Sequence, residues 1–177
     1  MDDVDFSYLW DKRHETLYRV ELSILYHKKR ERFFEVCDKL AKAIAVIGGS
    51  AAFAQLGGAE VMAYVGAGIV ATSTLSLVFG LSDRSRRHAE LAMNFRQIEA
   101  EIVARGERDF TETEVSVWAS KVRMLESSEP AALGALVTIC QNELAIAQGQ
   151  PNKIVTVPLM HRALAHLIDY SPPHQPA

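Results

Sequence analysis

The stretch that decides the fold is residues 43–82, AIAVIGGSAAFAQLGGAEVMAYVGAGIVATSTLSLVFGLS, forty positions that carry a single charge, Glu60. Densely charged segments flank it on both sides. A bilayer core of about 30 Å needs about 20 apolar helical residues for one crossing, so the block is long enough for two. Leu56–Glu60 contains two glycines and divides the block into residues 43–59 and 61–82. The block therefore predicts a membrane hairpin of two transmembrane helices joined by a short turn.

The first of these two segments is the weaker one. Its seventeen residues rise about 25 Å as a helix, which is the short end of the spanning range. Long basic side chains before it can reach the interface and lengthen the effective span. Basic residues also follow the second segment directly. We interpret these flanking residues as cytoplasmic anchors: Lys39, Lys42, Arg84, Arg86 and Arg87.

The distribution of basic residues predicts the orientation. Residues 12–42 hold nine Lys or Arg and residues 84–96 hold four, whereas the intervening turn holds none. The positive-inside rule therefore predicts an inner (cytoplasmic) membrane protein, multi-pass, with both termini cytoplasmic. Glu60 is then an external residue, either a solvated turn residue or a charge at a vestibule. The alternative is a hairpin at the centre of a soluble bundle, although a soluble helix normally has a polar face and neither segment has a charged one.

Small residues recur at helical spacing along both segments. The second segment has two such stripes at a spacing of four: Gly68, Thr72, Ser76 and Gly80, and Ala63, Ala67 and Ala71. The first helix has Ala41, Ala45 and Gly49, and also Gly48 and Ala52. Such stripes permit close backbone contact in lipid, where no hydrophobic force drives helices together. They can pack the two helices of one hairpin or join several copies around a pore, and both interpretations stay open. The candidates for membrane packing or pore lining are Gly49, Gly68, Thr72, Ser73, Ser76 and Gly80.

The rest of the chain is typical of soluble helices. Residues 7–42 contain no Gly and no Pro, so one long helix can run into the first crossing. Thr111 and Glu114 have the spacing of a capping box, and Ser128–Pro130 resembles the start of the next helix, Ala131–Ala147. The fold class is all-α: a long N-terminal helix, a membrane hairpin and a cytosolic C-terminal helical bundle. The predicted domains are a helical arm (1–42), the hairpin (43–82), a cytosolic helical domain (83–170) and a flexible Pro-rich tail (171–177).

One basic cluster, His27–Arg32, can be a solvated helix face or a contact for anionic headgroups. At 1.5 Å per residue, Arg32 lies about 15 Å before Lys42, so we expect the cluster to be outside the headgroups unless the helix bends flat. Asn142 and Glu143 form a polar pair that either binds a ligand or makes a helix contact.

Patterns of catalysis are absent from the sequence. There is no phosphate loop, zinc pattern or nucleophile elbow, and His161 and His166 are five apart rather than four. We therefore predict no enzyme activity, no catalytic residue, no cofactor and no metal. The net charge of −3 argues against a nucleic-acid partner. Cys37 and Cys140 lie far apart in sequence and fit free thiols in a reducing compartment.

The layout of nearly the whole chain resembles the SLATT family of two-transmembrane proteins of bacterial conflict systems and prophages. The resemblance is carried by Trp10–His14, Tyr26–Phe34, Leu81–His88, Ile98–Ile102 and Cys140–Leu144. It implies a cytosolic helical domain and a pore-forming effector that damages the membrane in response to phage infection or another intracellular conflict. It implies no catalytic residue. No sensor domain is fused to this chain, so the signal would come from a separate sensor or nucleotide-signal partner, or from its own helical domain.

Two functions therefore compete. In the first, several copies assemble in the lipid bilayer into a homo-oligomeric pore, since two crossings alone cannot enclose water. In the second, the chain is a non-enzymatic membrane anchor or scaffold whose cytosolic helices recruit a partner. The pore predicts sensitivity to changes at Gly68 and Ser76, whereas the scaffold predicts sensitivity on the surface of residues 111–168.

Overall fold

The structure, a computed structural model, describes residues 3–50 and 58–170. Every regular element in this part of the chain is helical, which confirms the all-α prediction. The elements are α1 (Asp3–Gly48), α2 (Ala59–Phe79), α3 (Leu81–Ala104), α4 (Glu112–Ser128), α5 (Gly134–Ala147), a 3-10 turn (Pro151–Lys153) and α6 (Leu159–Leu164). Most of the predicted hairpin turn, the side chain of Glu60 and the Pro-rich tail lie outside the described residues.

The chain divides into two compact units. The hairpin unit is Lys29–His88, and the bundle unit is Met1–Lys28 with Ala89–Ala177. The domain boundaries expected from the sequence, at residues 42, 82 and 170, stay a prediction.

Helix α1 is uninterrupted over 46 residues, as the absence of Gly and Pro from residues 7–42 predicts. Isolated helices are marginal in water, so a long helix depends on tertiary packing. In the bundle unit, α1 packs through Leu9, Val20 and Ile24 against α3, α4 and the loop between them. Val20 is fully buried although the sequence pattern did not single it out.

The core of the bundle unit consists of two clusters. The larger joins α1, α3 and α4 and contains Leu9, Val20, Ile24, Phe95, Ile98, Ile102, Phe110, Val115, Trp118 and Val122. The smaller joins α1, α5 and the C-terminal segment through Tyr26, Ala135, Leu136, Cys140 and Ala165. Cys140 is fully buried there, as expected of a small core residue on an apolar helix face.

The capping box at the start of α4 is confirmed. The Glu114 amide donates to Thr111 Oγ1 at 3.3 Å, and the Thr111 amide donates to Glu114 Oε2 at 2.8 Å. These bonds satisfy amides that have no partner within the helix. The hydrogen bonds from Thr111 also lower the pKa of the Glu114 carboxyl, because they favour its ionised form.

Thr111→Ala is expected to destabilise the bundle unit by about 1 kcal/mol, because it removes the cap of α4. The penalty should shrink on acidification. Glu114 contributes stability above its unfolded pKa, and this contribution is lost as the pH falls through its lowered folded pKa. Thermal melts of the full chain in detergent at neutral pH and near pH 3 would measure both effects. Thr113→Ala, an exposed neighbour without the cap bonds, is the control; an equal loss in both variants would contradict the capping role.

The start of α5 was predicted wrongly. The sequence places it at Ala131, whereas the helix begins at Gly134. The hydroxyls of Ser127 and Ser128 donate to carbonyls of α4 instead of capping α5. The first turn of α5 is capped from a distance: the Gly134 amide donates to Asp169 Oδ1 at 2.8 Å. A partner 35 residues away in sequence cannot be found from local cap signals.

Candidate functional site: the apolar hairpin

Helix α2 is the part of the chain that fits a membrane. Val61–Ala104, which joins α2 to α3, is the one candidate among the described residues that is long and apolar enough to cross a bilayer, with a mean hydropathy of 1.7 in its most apolar window. None of that window is buried inside the structure. The core helix of a soluble protein passes the same length test but is mostly buried. Tyr64, Leu77 and Val78 instead show most of their surface to the exterior.

Gly80 ends α2 shortly before the predicted limit at Ser82. It adopts a left-handed conformation with φ 55° and ψ 48°, which a residue without a Cβ adopts at little cost. Its amide donates to carbonyls of the last turn, and α3 begins at the next residue. Arg84 Nε donates to the Phe79 carbonyl at 3.0 Å, which places a positive charge at the negative end of the α2 dipole. Arg84 is thus a local cap as well as a predicted anchor.

The inner face of α2 packs on the second half of α1. The tightest approach is at Gly48, where an added Cβ would lie 2.8 Å from Ile69 Cδ1 and 3.1 Å from Val65 Cγ1. Because Gly48 has no side chain, α2 can approach α1 closely at this position, as expected of a small residue in a membrane interface. A Cβ added at the predicted Gly49 would meet only the Ala45 carbonyl of its own helix, and the packing or pore-lining role of Gly49 stays a prediction.

A groove of about 320 Å³ follows this contact and has an almost wholly apolar lining. Gly68 and Thr72 line it from α2. The Thr72 hydroxyl donates to the Gly68 carbonyl at 2.9 Å, so its hydrogen bond is made within α2. Nothing lies within 4 Å of a Cβ added at Gly68. Thr72, Ser73 and Ser76 are half-buried, and their proposed pore-lining role stays a prediction.

A polar contact fixes the register of the two helices. The Ser76 hydroxyl donates to Asp38 Oδ1 at 3.4 Å, and Lys42 Nζ donates to Asp38 Oδ2 at 2.6 Å. The Asp38 side chain is only 13% exposed. Asp38 precedes the apolar block in sequence, but the antiparallel pairing places it beside the last apolar turns of α2. Sequence reasoning missed this contact because it joins residues 38 positions apart.

The outer face of α2 carries a second stripe of small residues. Ala63, Ala67 and Ala71 are all exposed. Helical periodicity of 3.6 residues places them opposite Val65, Ile69 and Thr72, which line the groove. The two stripes noted in the sequence thus have different surroundings: one faces α1 and the other faces outward.

The predicted anchors differ in how their charge is compensated. Lys39 pairs with Glu35 and Lys42 with Asp38, both at 2.6 Å and both one helical turn apart. Arg86 pairs with Asp83. Arg84 lies over the Phe34 ring, at 5.9 Å from its centroid, and Arg87 is exposed. Residues 83–88 carry three Arg and one Asp, whereas residues 35–42 carry two Lys and two acidic residues, so the net positive charge of the anchors is greater after α2.

The polar pair Asn142 and Glu143 lies on α5 in the bundle unit. Asn142 donates from Nδ2 to the Val155 carbonyl at 2.7 Å and accepts from the Val155 amide at 2.8 Å, so its amide holds the segment after α5. This is the helix-contact interpretation of Asn142. Within residues 3–50 and 58–170 there is no group of three or more His, Cys, Asp or Glu that could hold a metal ion.

Comparison of the chain with protein-family models, with curated proteins and with solved structures finds no match. The resemblance to the SLATT family stays a prediction that rests on the sequence motifs.

Proposed function

We propose that the chain is an integral membrane protein whose two-helix hairpin, with both termini in the cytoplasm, associates with further copies of itself and permeabilises the membrane. The observation that supports the proposal is the exposure of α2: no residue of its most apolar window is fully buried, and a helix of this hydropathy with most of its surface uncovered by the described chain needs an apolar solvent. Lipid supplies that solvent, and a helix satisfies its own backbone polar groups within lipid.

Association of copies is supported by the arrangement of the two small-residue stripes. The inner face of α2 already contacts α1, where Val65 and Ile69 meet Gly48 and Ser76 donates to Asp38. The outer stripe, Ala63, Ala67 and Ala71, serves no contact of this kind and permits close approach of another helix. Two crossings cannot enclose a water-filled path, so permeabilisation requires several hairpins. The resemblance to conflict-system proteins adds the biological setting: an effector that acts in anti-phage defence or another intracellular conflict, triggered by a separate sensor or nucleotide signal.

The direct experiment is leakage from vesicles that contain the purified full chain, together with membrane depolarisation on expression in cells. The proposal expects release of a small dye that rises more steeply than linearly with protein density, because assembly precedes release. Intact membrane potential at high expression, with and without phage challenge, would count against it.

Ala67→Phe is expected to reduce leakage and intermolecular crosslinking at least severalfold, because a large ring on the outer stripe prevents close backbone approach. Val61→Phe is the matched control: Val61 is exposed on the same helix but lies about 120° around the helix axis from Ala67. This comparison distinguishes the pore from the scaffold better than a change at Ser76 does. A change at Ser76 would also disturb the bond of its hydroxyl to Asp38. Equal leakage from the wild type and both variants would refute association through the outer stripe.

The scaffold function has one observation in its favour. Leu159, Met160 and Leu167 are largely exposed around α6 in the bundle unit. A partner that covers these side chains would make the hairpin an anchor. Under this alternative, Leu159→Ser and Met160→Ser abolish function, whereas Ala67→Phe leaves function intact.

A further inference from the structure

Two basic segments that lie far apart in sequence meet in the hairpin unit. The Ser85 hydroxyl donates to the Glu31 carbonyl at 3.2 Å across 54 positions of sequence. This bond places residues 29–32 of α1 beside residues 84–88 of α3. We name this region the basic collar: Lys29, Arg32, Arg84, Arg86 and Arg87 are at least partly exposed, and Arg30 and His88 are buried beneath them.

The collar lies much closer to the apolar surface than the sequence suggests. Along α1, Arg32 is about 15 Å from Lys42, and on this basis we expected the cluster around it to be outside the headgroups. The antiparallel pairing allows the distance to be measured from the end of α2 instead. Helix α2 ends at Phe79, and only four residues separate Phe79 from Arg84. The expectation measured distance along α1 alone, and the position of the cluster relative to the headgroups stays a prediction. Segment 29–32 is level with the charged flank of α2.

An aromatic side chain organises the collar. Phe34 is buried, and the Arg30 guanidinium lies over its ring at 4.4 Å from the centroid. Arg84 approaches the same ring at 5.9 Å, and His88 stacks on it with centroids 5.7 Å apart. Stacking uses the flat face of a guanidinium, whereas its N–H donors lie at the edge and match the oxygens of a phosphate. Phe34 thus gathers basic groups from both helices in one place.

The charge balance also separates the collar from the rest of the hairpin unit. Segments 29–32 and 83–88 contain six Lys or Arg and two acidic residues, Glu31 and Asp83. Nearer the centre of the hairpin, residues 35–42 contain two Lys and two acidic residues, so their net charge is zero. Anionic lipid attracts basic residues within a Debye length of the membrane surface. The excess positive charge is therefore located where the apolar surface of α2 ends.

We propose that the basic collar binds the phosphates of anionic phospholipid headgroups and thereby selects anionic lipid around the hairpin. This inference rests on the proposed insertion of the hairpin in a membrane. The argument for lipid over other polyanions is the adjacent surface: Leu77, Val78 and Phe79 are exposed beside the collar and fit acyl chains. A nucleic acid or a free phosphate has no apolar part to cover them.

The test is the association of spin-labelled phosphatidylglycerol and phosphatidylcholine with the full chain reconstituted in vesicles. The wild type is expected to prefer phosphatidylglycerol severalfold. The triple variant Arg32→Gln, Arg84→Gln, Arg87→Gln should fall to within about twofold of equal association, because its attraction to the anionic surface is largely removed. The triple variant Arg108→Gln, Arg123→Gln, Arg162→Gln removes the same charge from exposed positions of the bundle unit and should keep the wild-type preference.

Three results would overturn the inference. These are an unchanged preference in the collar variant, an equal loss in the control variant, and displacement of the labelled lipid by soluble glycerol phosphate or by an oligonucleotide. Resistance to alkaline extraction, measured on the same samples, reports insertion separately. A chain that stays inserted but shows no lipid preference refutes the collar alone, whereas a chain that is extracted refutes the proposed function.

Discussion

Val70→Arg is expected to release most of the protein from the membrane fraction on alkaline extraction. Val70 lies at the middle of the apolar stretch and is 66% exposed, so the bundle does not shelter it. Arginine at the centre of a membrane helix costs about 2.5–3.5 kcal/mol, whereas valine is slightly favourable. The difference corresponds to a change of about a hundredfold in the equilibrium between inserted and non-inserted helix. The measurement is the fraction that remains in the pellet after carbonate treatment.

Met124→Arg is the matched control. Met124 is an apolar residue on α4 that is 73% exposed, but it lies in the bundle unit. This change should leave the pelleted fraction unchanged. If α2 instead lay at the surface of a soluble assembly, Val70→Arg would increase solubility without a membrane-dependent effect, and the wild type would itself be extracted. That result would exclude the membrane proposal and favour the alternative of a helical bundle.

Phe95→Ala is expected to destabilise the bundle unit by about 3–5 kcal/mol, which is a large part of the stability of a typical domain. The Phe95 side chain is 0% exposed and belongs to the core cluster with Trp118. Its ring also stacks on His27, with centroids 5.9 Å apart. Loss of the ring leaves a cavity at the junction of α1 and α3. Urea denaturation of the full chain in detergent, followed by tryptophan fluorescence, would measure the loss.

Trp118 makes this measurement specific, because it is buried in the same core. Met93→Ala is the control on the same helix, since Met93 is 64% exposed and should change the free energy of unfolding by about 0.5 kcal/mol or less. Similar midpoints for the two variants would mean that Phe95 is not part of a packed core.

The sequence predicted the features that depend on local pattern. The spacing of Thr111 and Glu114 marked the start of α4, and the apolar run of residues 61–82 marked the position of α2. Each of these signals lies within a few residues of its effect. The helix content of the chain followed from them, as did the position of the apolar block.

The contacts between distant segments required the tertiary structure. Asp169 caps α5, Asp38 meets Ser76, and Ser85 meets Glu31. A helical pattern identifies which residues share a face, but it does not give the register of one helix against another.

The same distinction applies to the apolar block, residues 43–82. By itself, the sequence determined that residues 43–82 are too apolar to be left in water, because that property depends only on composition and length. The tertiary structure decided that α2 is exposed except on the face toward α1, that Gly48 lies at this contact, and that one small-residue stripe faces outward. It also brought two basic segments to one level, because antiparallel pairing relates residues by their position along the helix axis and not by their separation along the chain.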